Sequence, residues 1–96
     1  MTASYLCLVG RTALITGAAR GIGSAIVRRM LEVGCRIVAI DLLPSIESYV
    51  AALRSQIPNA PQAWSFIADV RDRAALEAIR DKLVADDIIP RFVRFF

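Results

Sequence analysis

Short, mostly apolar segments alternate along this chain with longer stretches in which apolar residues recur every three or four positions. The segments at 13–15, 36–40 and 63–68 have the length and the β-branched or aromatic content of buried strands. Each is followed by a stretch with helical spacing, so the predicted order of elements is β-α-β-α-β-α. This alternation predicts right-handed crossovers and an α/β fold with an incomplete doubly wound parallel sheet.

Each predicted helix has one apolar stripe and at least one recognisable end. The stripes consist of Ile22, Ile26, Met30 and Val33 in the first helix, Ile46, Tyr49, Val50, Leu53 and Ile57 in the second, and Leu76, Ile79 and Leu83 in the third. Gly34 stands where a left-handed residue commonly follows a helix, and Asp72 can cap the third helix. Pro44 and Ser45 are typical of the start of the second helix.

Three glycines separate the first predicted strand from the first predicted helix, and each has its own physical role. Gly17 lets the chain leave the strand through backbone angles that a Cβ would obstruct. Gly21 lets the backbone approach a pyrophosphate closely, and Gly23 lets the helix pack tightly on its strand. These roles together predict a Rossmann-like cradle for a dinucleotide cofactor.

The start of the first helix strengthens the prediction of a phosphate site. Its free N–H groups and partial positive charge suit an anion, and Arg20 adds a full charge beside them. The alternative is a strand-turn-helix whose glycines serve only tight packing. The residues that we predict to hold the pyrophosphate are Gly17, Ala18, Arg20, Gly21, Ile22 and Gly23.

An acidic residue at the end of the second strand bears on the choice between NAD and NADP. A carboxylate at Asp41 would accept hydrogen bonds from the adenosine ribose and repel a 2′-phosphate, with Leu42 beside it in the predicted site. Arg20 argues mildly for NADP, because a guanidinium can pair with that phosphate. We therefore predict NAD, with NADP as the less favoured cofactor. The alternative is that Asp41 is only a turn residue.

The third strand also ends on a carboxylate. Asp69 could accept a hydrogen bond from the adenine amino group, with Val70 supporting the ring. The alternative is equally strong, since either Asp69 or Asp72 could simply cap the third helix.

Composition excludes several other classes of protein. The chain has 96 residues, a net charge of +3 and 56% hydrophobic residues, which describes one small folded domain. No apolar run is long enough to span a bilayer, and the basic residues are not interleaved with stacking aromatics. We expect no membrane partner and no nucleic-acid partner. We also expect a cytoplasmic location. Histidine is absent, and Cys7 and Cys35 are expected to be small core residues rather than a disulfide.

At the glycine turn the sequence resembles the short-chain dehydrogenase/reductase family. Residues 16–23 match the T-G-x-x-x-G-x-G cofactor turn of that family, and residues 8–11 are similar to its usual lead-in. Asp41 matches the acidic position of members that prefer NAD, and Asp69 with Val70 matches the pair that contacts adenine. The resemblance covers about residues 6–85 and implies NAD(P)-dependent hydride transfer between alcohols and carbonyls.

The catalytic part of the resemblance does not carry over to this chain. Family members use a Tyr-x-x-x-Lys pair with a Ser and an Asn, whereas the only lysine here is Lys82, four residues after Ala78. We therefore expect a truncated, inactive cofactor-binding portion at 1–85 with a divergent tail at 86–96. The alternative is a non-catalytic nucleotide-binding or regulatory module that pairs with a full-length homologue.

The conformation of the tail decides whether the outer edge of the first strand is paired with another strand. Without a fourth strand, the strand at 12–16 would be an open edge prone to self-association or to pairing with a homologue. The tail could supply a surrogate edge strand that begins near Pro90, but an end without regular structure is the favoured expectation.

Overall fold

The computed structural model describes residues 10–88, residue 90 and the backbone of 92–94. The elements in chain order are β1 (Thr12–Thr16), α1 (Gly21–Glu32), β2 (Arg36–Asp41), α2 (Ser45–Gln56), β3 (Ala63–Ile67), α3 (Arg73–Ala85) and β4 (Phe92–Arg94). The family-like lead-in at 8–9 and Cys7 lie outside the described residues. All three predicted strands and all three predicted helices form, which confirms the Rossmann-like α/β fold.

The four strands make one parallel sheet in the order β3-β2-β1-β4. β1 and β2 pair in a register that aligns Thr16 with Ile40, and β2 and β3 align Asp41 with Ile67. Because the strands are parallel, their carboxyl ends meet at one edge of the sheet. The glycine turn after β1, the end of β2 and the end of β3 are therefore neighbours.

The fourth strand corrects two expectations about the end of the chain. Residues 92–94 pair with β1 in parallel, with Ala13 opposite Phe92 and Ile15 opposite Arg94. The expected open edge at 12–16 is therefore wrong, and so is the favoured expectation that the tail has no regular structure. Along Ala13–Ile15, β1 is therefore flanked by a paired strand on each side, which is what a buried, uncharged strand requires. The surrogate edge strand is the alternative that holds.

The buried face of α1 is also different from the predicted one. Its buried residues are Gly23, Val27 and Leu31, whereas Ile22 is 70% exposed. The reason is the close packing of Gly23 on Gly17, which turns position 23 towards the sheet and brings the positions four and eight residues later with it. Ile26 and Met30 pack only at the margin of the core.

The core lies in two layers, one on each face of the sheet. α1 and α2 cover one face, and the predicted α2 stripe is buried there at Ile46, Val50 and Leu53. α3 covers the other face with Ile79 and Leu83. β2 is central and supplies both layers, with Ile37 and Ala39 in the first and Val38 and Ile40 in the second.

The ends of α1 and α3 agree with their predicted signals. Gly34 has a φ of 92°, as expected of a left-handed residue after a helix, and the Asp72 carboxylate accepts from the Ala75 N–H at 3.2 Å. Cys35 is a free thiol in the core, and its burial raises its pKa. Across the described ranges, we find no helix with both the length and the apolar character needed to cross a bilayer.

Candidate functional site

A cleft of about 590 Å³ opens where the glycine turn meets the end of β2. Its lining residues are Gly17, Arg20, Gly21, Ile22, Gly23, Asp41, Leu42 and Leu43. Seven of these eight residues were predicted from the sequence, and Leu43 is the addition. The fold therefore gathers the candidate pyrophosphate and ribose residues around one space at the carboxyl edge of the sheet.

The three glycines of the turn have the distinct roles that their spacing predicts. Gly17 and Gly21 both have a φ of 64°, a left-handed conformation that a side chain would strain. A Cβ built on Gly23 would overlap the carbonyl oxygen of Gly17, so that α1 and the turn touch backbone to backbone. A Cβ on Gly21 would have no heavy atom within 4 Å, so this backbone faces open space inside the cleft. That space is what a pyrophosphate would require.

The first turn of α1 is suited to an anion. Its capping residue, Arg20, is extended and offers no side-chain acceptor to the first N–H groups of the helix. No acidic residue lies in that turn, so the positive end of the helix is not neutralised from within. Arg20 and Ile22 both line the cleft and are both exposed.

Ala18 is the one predicted pyrophosphate residue that does not line the cleft. It is fully buried in the core layer of α1 and α2, and its N–H donates to the Ile40 carbonyl at 3.4 Å. Its buried side chain and this hydrogen bond hold the glycine turn against the sheet.

Asp41 is bonded to the glycine turn as well as to its own loop. One carboxylate oxygen accepts from the Ala19 N–H at 3.0 Å, and the other accepts from the Leu43 N–H at 2.9 Å. The bond from Leu43 is local and is what the alternative of a turn residue predicts for Asp41. The bond from Ala19 instead joins the end of β2 to the turn after β1. Each oxygen retains a lone pair for a further donor. The sequence predicted the position of this carboxylate but gave no sign of its partner at Ala19.

A second cleft of about 280 Å³ lies beside the first, at the end of β3. It is lined by Gly17, Asp41, Leu42, Ala68, Asp69, Val70 and Arg71. This cleft brings the predicted adenine pair to the same edge of the sheet as Asp41, as the family resemblance implies. Val70 is 43% exposed there.

The Asp69 carboxylate is held by Arg71, a residue that the sequence analysis did not single out. The Arg71 guanidinium donates to both oxygens, with a shortest distance of 2.8 Å, and the Arg71 N–H adds a bond of 2.9 Å. These hydrogen bonds, the side-chain ones first, lower the pKa of Asp69 to about 2. Asp72, not Asp69, caps α3, so the capping alternative does not account for Asp69. The charge pair two residues apart was the available signal for Arg71.

Tyr49 is another residue that sequence reasoning placed only in the core. Its ring packs at the margin of the core layer of α1 and α2, while its hydroxyl donates to the Ser24 carbonyl in α1 at 2.6 Å. A hydroxyl inside an otherwise apolar stripe was the only sign of this contact in the sequence.

A third cavity, of about 290 Å³, lies on the opposite face of the sheet beside α3. It is lined by Leu14, Thr16, Ile40, Leu76, Ile79, Arg80, Leu83, Val84, Ile88 and Pro90. Almost all of its lining is apolar, and it contains none of the predicted cofactor residues.

Comparison with known proteins agrees with the geometry of the site. Residues 11–86 match the family model described as short chain dehydrogenase. The chain is 40% identical over 75 residues to 2,3-dihydro-2,3-dihydroxybenzoate dehydrogenase of Bacillus subtilis (strain 168). The aligned residues make up 77% of this chain and 28% of that relative.

Solved structures show the same relationship. NAD+-bound xylitol dehydrogenase superposes with a TM-score of 0.76 at 28% identity, over 90% of this chain and 32% of that one. A Beutenbergia cavernae protein described as an NAD(P)-dependent gluconate 5-dehydrogenase, with NADP bound at low occupancy, has a TM-score of 0.70 at 27% identity, over 81% of this chain and 30% of that one. The chain thus spans less than a third of the length of these proteins. The glycine turn, the parallel sheet and the match over residues 11–86 together show that this chain belongs to the short-chain dehydrogenase family.

Proposed function

We propose that this chain binds the adenosine diphosphate half of a nicotinamide dinucleotide, as the N-terminal part of an alcohol or carbonyl oxidoreductase. The observation that carries the proposal is the single cleft that joins the open backbone of Gly21 to the carboxylate of Asp41. The pyrophosphate would lie against the first N–H groups of α1, and the ribose hydroxyls would donate to Asp41. The adenine would enter the neighbouring cleft between Leu42 and Val70.

We further propose that the cofactor is NAD rather than NADP. The Asp41 carboxylate lines both clefts, so a 2′-phosphate on the ribose would be brought close to a like charge. At about 4 Å and near a protein surface, two unit charges interact by on the order of 4 kcal/mol. Arg20 favours the phosphate, but its side chain is exposed and its attraction is screened by water and salt. Similar structures hold NAD+ in one case and NADP in another, so the proposed preference rests on Asp41.

The predicted contact between Asp69 and the adenine amino group is affected by Arg71. The Arg71 guanidinium already occupies both oxygens of Asp69, so an adenine amino group would share an acceptor rather than fill an empty one. We propose that Val70 supplies apolar contact to the ring and that the Asp69–Arg71 pair forms the polar wall of the adenine cleft.

We propose that these 96 residues do not themselves transfer hydride. The Tyr49 hydroxyl is bonded to Ser24, and position 53, four residues later, holds leucine rather than lysine. The only lysine of the chain, Lys82, lies in α3 on the opposite face of the sheet. Neither tyrosine of this sequence has a lysine four positions later, so we expect no Tyr-x-x-x-Lys pair to act within these 96 residues.

Isothermal titration calorimetry of the chain with NAD, NADP and ADP tests this function. We expect saturable binding of ADP and NAD and weaker binding of NADP. Absence of binding by all three ligands to the folded chain would overturn the proposal, and tighter binding of NADP would overturn only the choice of cofactor.

A second candidate is a non-catalytic nucleotide-binding or regulatory module that pairs with a full-length homologue. The apolar cavity beside α3 favours it, because Val84 is 69% exposed at its margin. The predicted pairing through β1 does not apply, since β4 occupies that edge. Addition of the chain to a complete homologue should then inhibit turnover, whereas unchanged turnover would exclude this role. The cytoplasmic location and the boundary between 1–85 and 86–96 remain predictions.

A further inference from the structure

The hydroxyl of Tyr49 connects α2 to α1, the helix whose first residues line the cofactor cleft. It lies in α2 and donates to the carbonyl of Ser24 in the first turn of α1, at 2.6 Å. The two residues are 25 positions apart in sequence, so the bond is tertiary rather than local. Within the same turn, the Ser24 hydroxyl donates to the Gly21 carbonyl at 2.7 Å.

Other hydrogen bonds join the glycine turn to the end of β2. The Asp41 carboxylate accepts from the Ala19 N–H at 3.0 Å, and the Ile40 carbonyl accepts from the Ala18 N–H at 3.4 Å. Asp41 holds the glycine turn before α1 begins, whereas Tyr49 holds the helix one turn later. The peptide groups between these two points, from Ala19 to Ser24, include the free N–H groups proposed to receive the pyrophosphate.

We propose that Tyr49 is a positioning residue for the pyrophosphate, an inference that rests on the function proposed above. Its hydroxyl fixes the first turn of α1 at a set distance from α2. The N–H groups of the helix start therefore point at the diphosphate before the ligand arrives, which reduces the ordering that binding would otherwise require. Tyr49 need not touch the cofactor, because it acts through the backbone of Ser24.

The ring and the hydroxyl of Tyr49 have separable roles. The ring packs on the core layer of α1 and α2, which any aromatic residue of the same shape could do. The hydroxyl makes the hydrogen bond to the Ser24 carbonyl of α1. Tyr49→Phe therefore removes the link and keeps the packing.

The test compares ligands that use different parts of the cleft. Adenosine would contact the ends of β2 and β3 only, whereas ADP adds the contacts at α1. With dissociation constants measured by NMR titration, we expect Tyr49→Phe to weaken ADP binding roughly three- to tenfold, in keeping with the loss of one positioned hydrogen bond. Adenosine binding should be unchanged. Ser48→Ala is the matched control, because it removes a hydroxyl-to-carbonyl bond that stays within α2.

The outcomes distinguish this inference from the proposed function. If the folded wild-type chain binds neither ADP nor adenosine, the proposed function fails. If the wild-type chain binds both and Tyr49→Phe binds ADP as tightly, only the role of Tyr49 is overturned. A variant that melts at a lower temperature but loses the same factor for ADP and adenosine would show a purely structural role and would also overturn the inference.

Discussion

The carboxylate of Asp41 accepts a hydrogen bond from the backbone N–H of Ala19, 22 positions earlier in the chain, at 3.0 Å. The side chain proposed to recognise the cofactor ribose therefore also anchors the turn proposed to hold the pyrophosphate. Its second bond, to the Leu43 N–H, fixes the loop on the other side of the cleft. A change at Asp41 should consequently affect the geometry of the turn as well as cofactor choice.

Replacement of Asp41 by Asn removes the charge and keeps one acceptor oxygen. We expect the ratio of NAD to NADP affinity to move roughly tenfold towards NADP, because the repulsion of the 2′-phosphate is lost. Calorimetric titration with both cofactors measures the change. Asp81→Asn is the matched control, since this exposed carboxylate lies in α3 outside both clefts. An unchanged ratio would mean that Asp41 does not face the ribose.

Gly23 is expected to be intolerant of even a methyl group. Ala normally stabilises a helix interior by about 1 kcal/mol relative to Gly. In Gly23→Ala the new Cβ would instead meet the Gly17 carbonyl oxygen, which is backbone and cannot move aside as a side chain could. We expect a net loss of about 1–3 kcal/mol in the free energy of unfolding, measured by urea denaturation. A gain in stability would contradict the backbone contact between α1 and the turn.

The acid titration of Asp69 should depend on Arg71. In the folded chain, the pKa of Asp69 is lowered from 3.8 to about 2, mainly by the guanidinium hydrogen bonds. A lowered folded pKa stabilises the fold at pH values above 3.8, and this small contribution disappears as the pH falls towards 2. Arg71→Ala should return the pKa of Asp69 towards its ordinary value, as followed by carboxyl carbon chemical shifts. Identical titration curves for the two proteins would rule out the pair.

The pairing of β4 with β1 predicts what removal of the tail would do. A chain that ends at residue 88 would leave β1 without its partner along Ala13–Ile15. We expect a lower melting temperature and a larger share of oligomers in light scattering, because an apolar strand edge would be unpaired. Equal melting temperatures and masses for the two chains would contradict a structural role of β4.

Local sequence patterns predicted most of the fold, because strand runs, helix stripes and caps depend on neighbouring residues. The buried face of α1 was wrong by one position, since the side facing the sheet is set by the contact of Gly23 with Gly17. β4 was not the favoured expectation because its pairing depends on β1, about 80 residues away, rather than on a strong pattern of its own.

The candidate site was predicted better in its positions than in its contacts. The ends of parallel strands and the spacing of the glycines placed the cofactor residues around one cleft. The hydrogen-bond partners of these residues could not be predicted, because each bond joins residues far apart in sequence or depends on the conformation of a loop. Asp41 on Ala19 and Tyr49 on Ser24 are tertiary hydrogen bonds, and the pair of Asp69 with Arg71 depends on the conformation of the β3–α3 loop.

A matched pair of glycine variants tests the phosphate cradle most directly. Gly21 and Gly10 have similar positive φ angles, 64° and 76°, and a Cβ at either would have no heavy atom within 4 Å. Gly21→Val and Gly10→Val therefore impose the same kind of backbone strain, but only the first adds a side chain inside the cleft. With NAD dissociation constants measured by calorimetry on the folded variants, the account predicts roughly 10- to 100-fold weaker binding for Gly21→Val, through lost backbone contacts to phosphate, and unchanged binding for Gly10→Val. Equal NAD affinity in the two variants would contradict it.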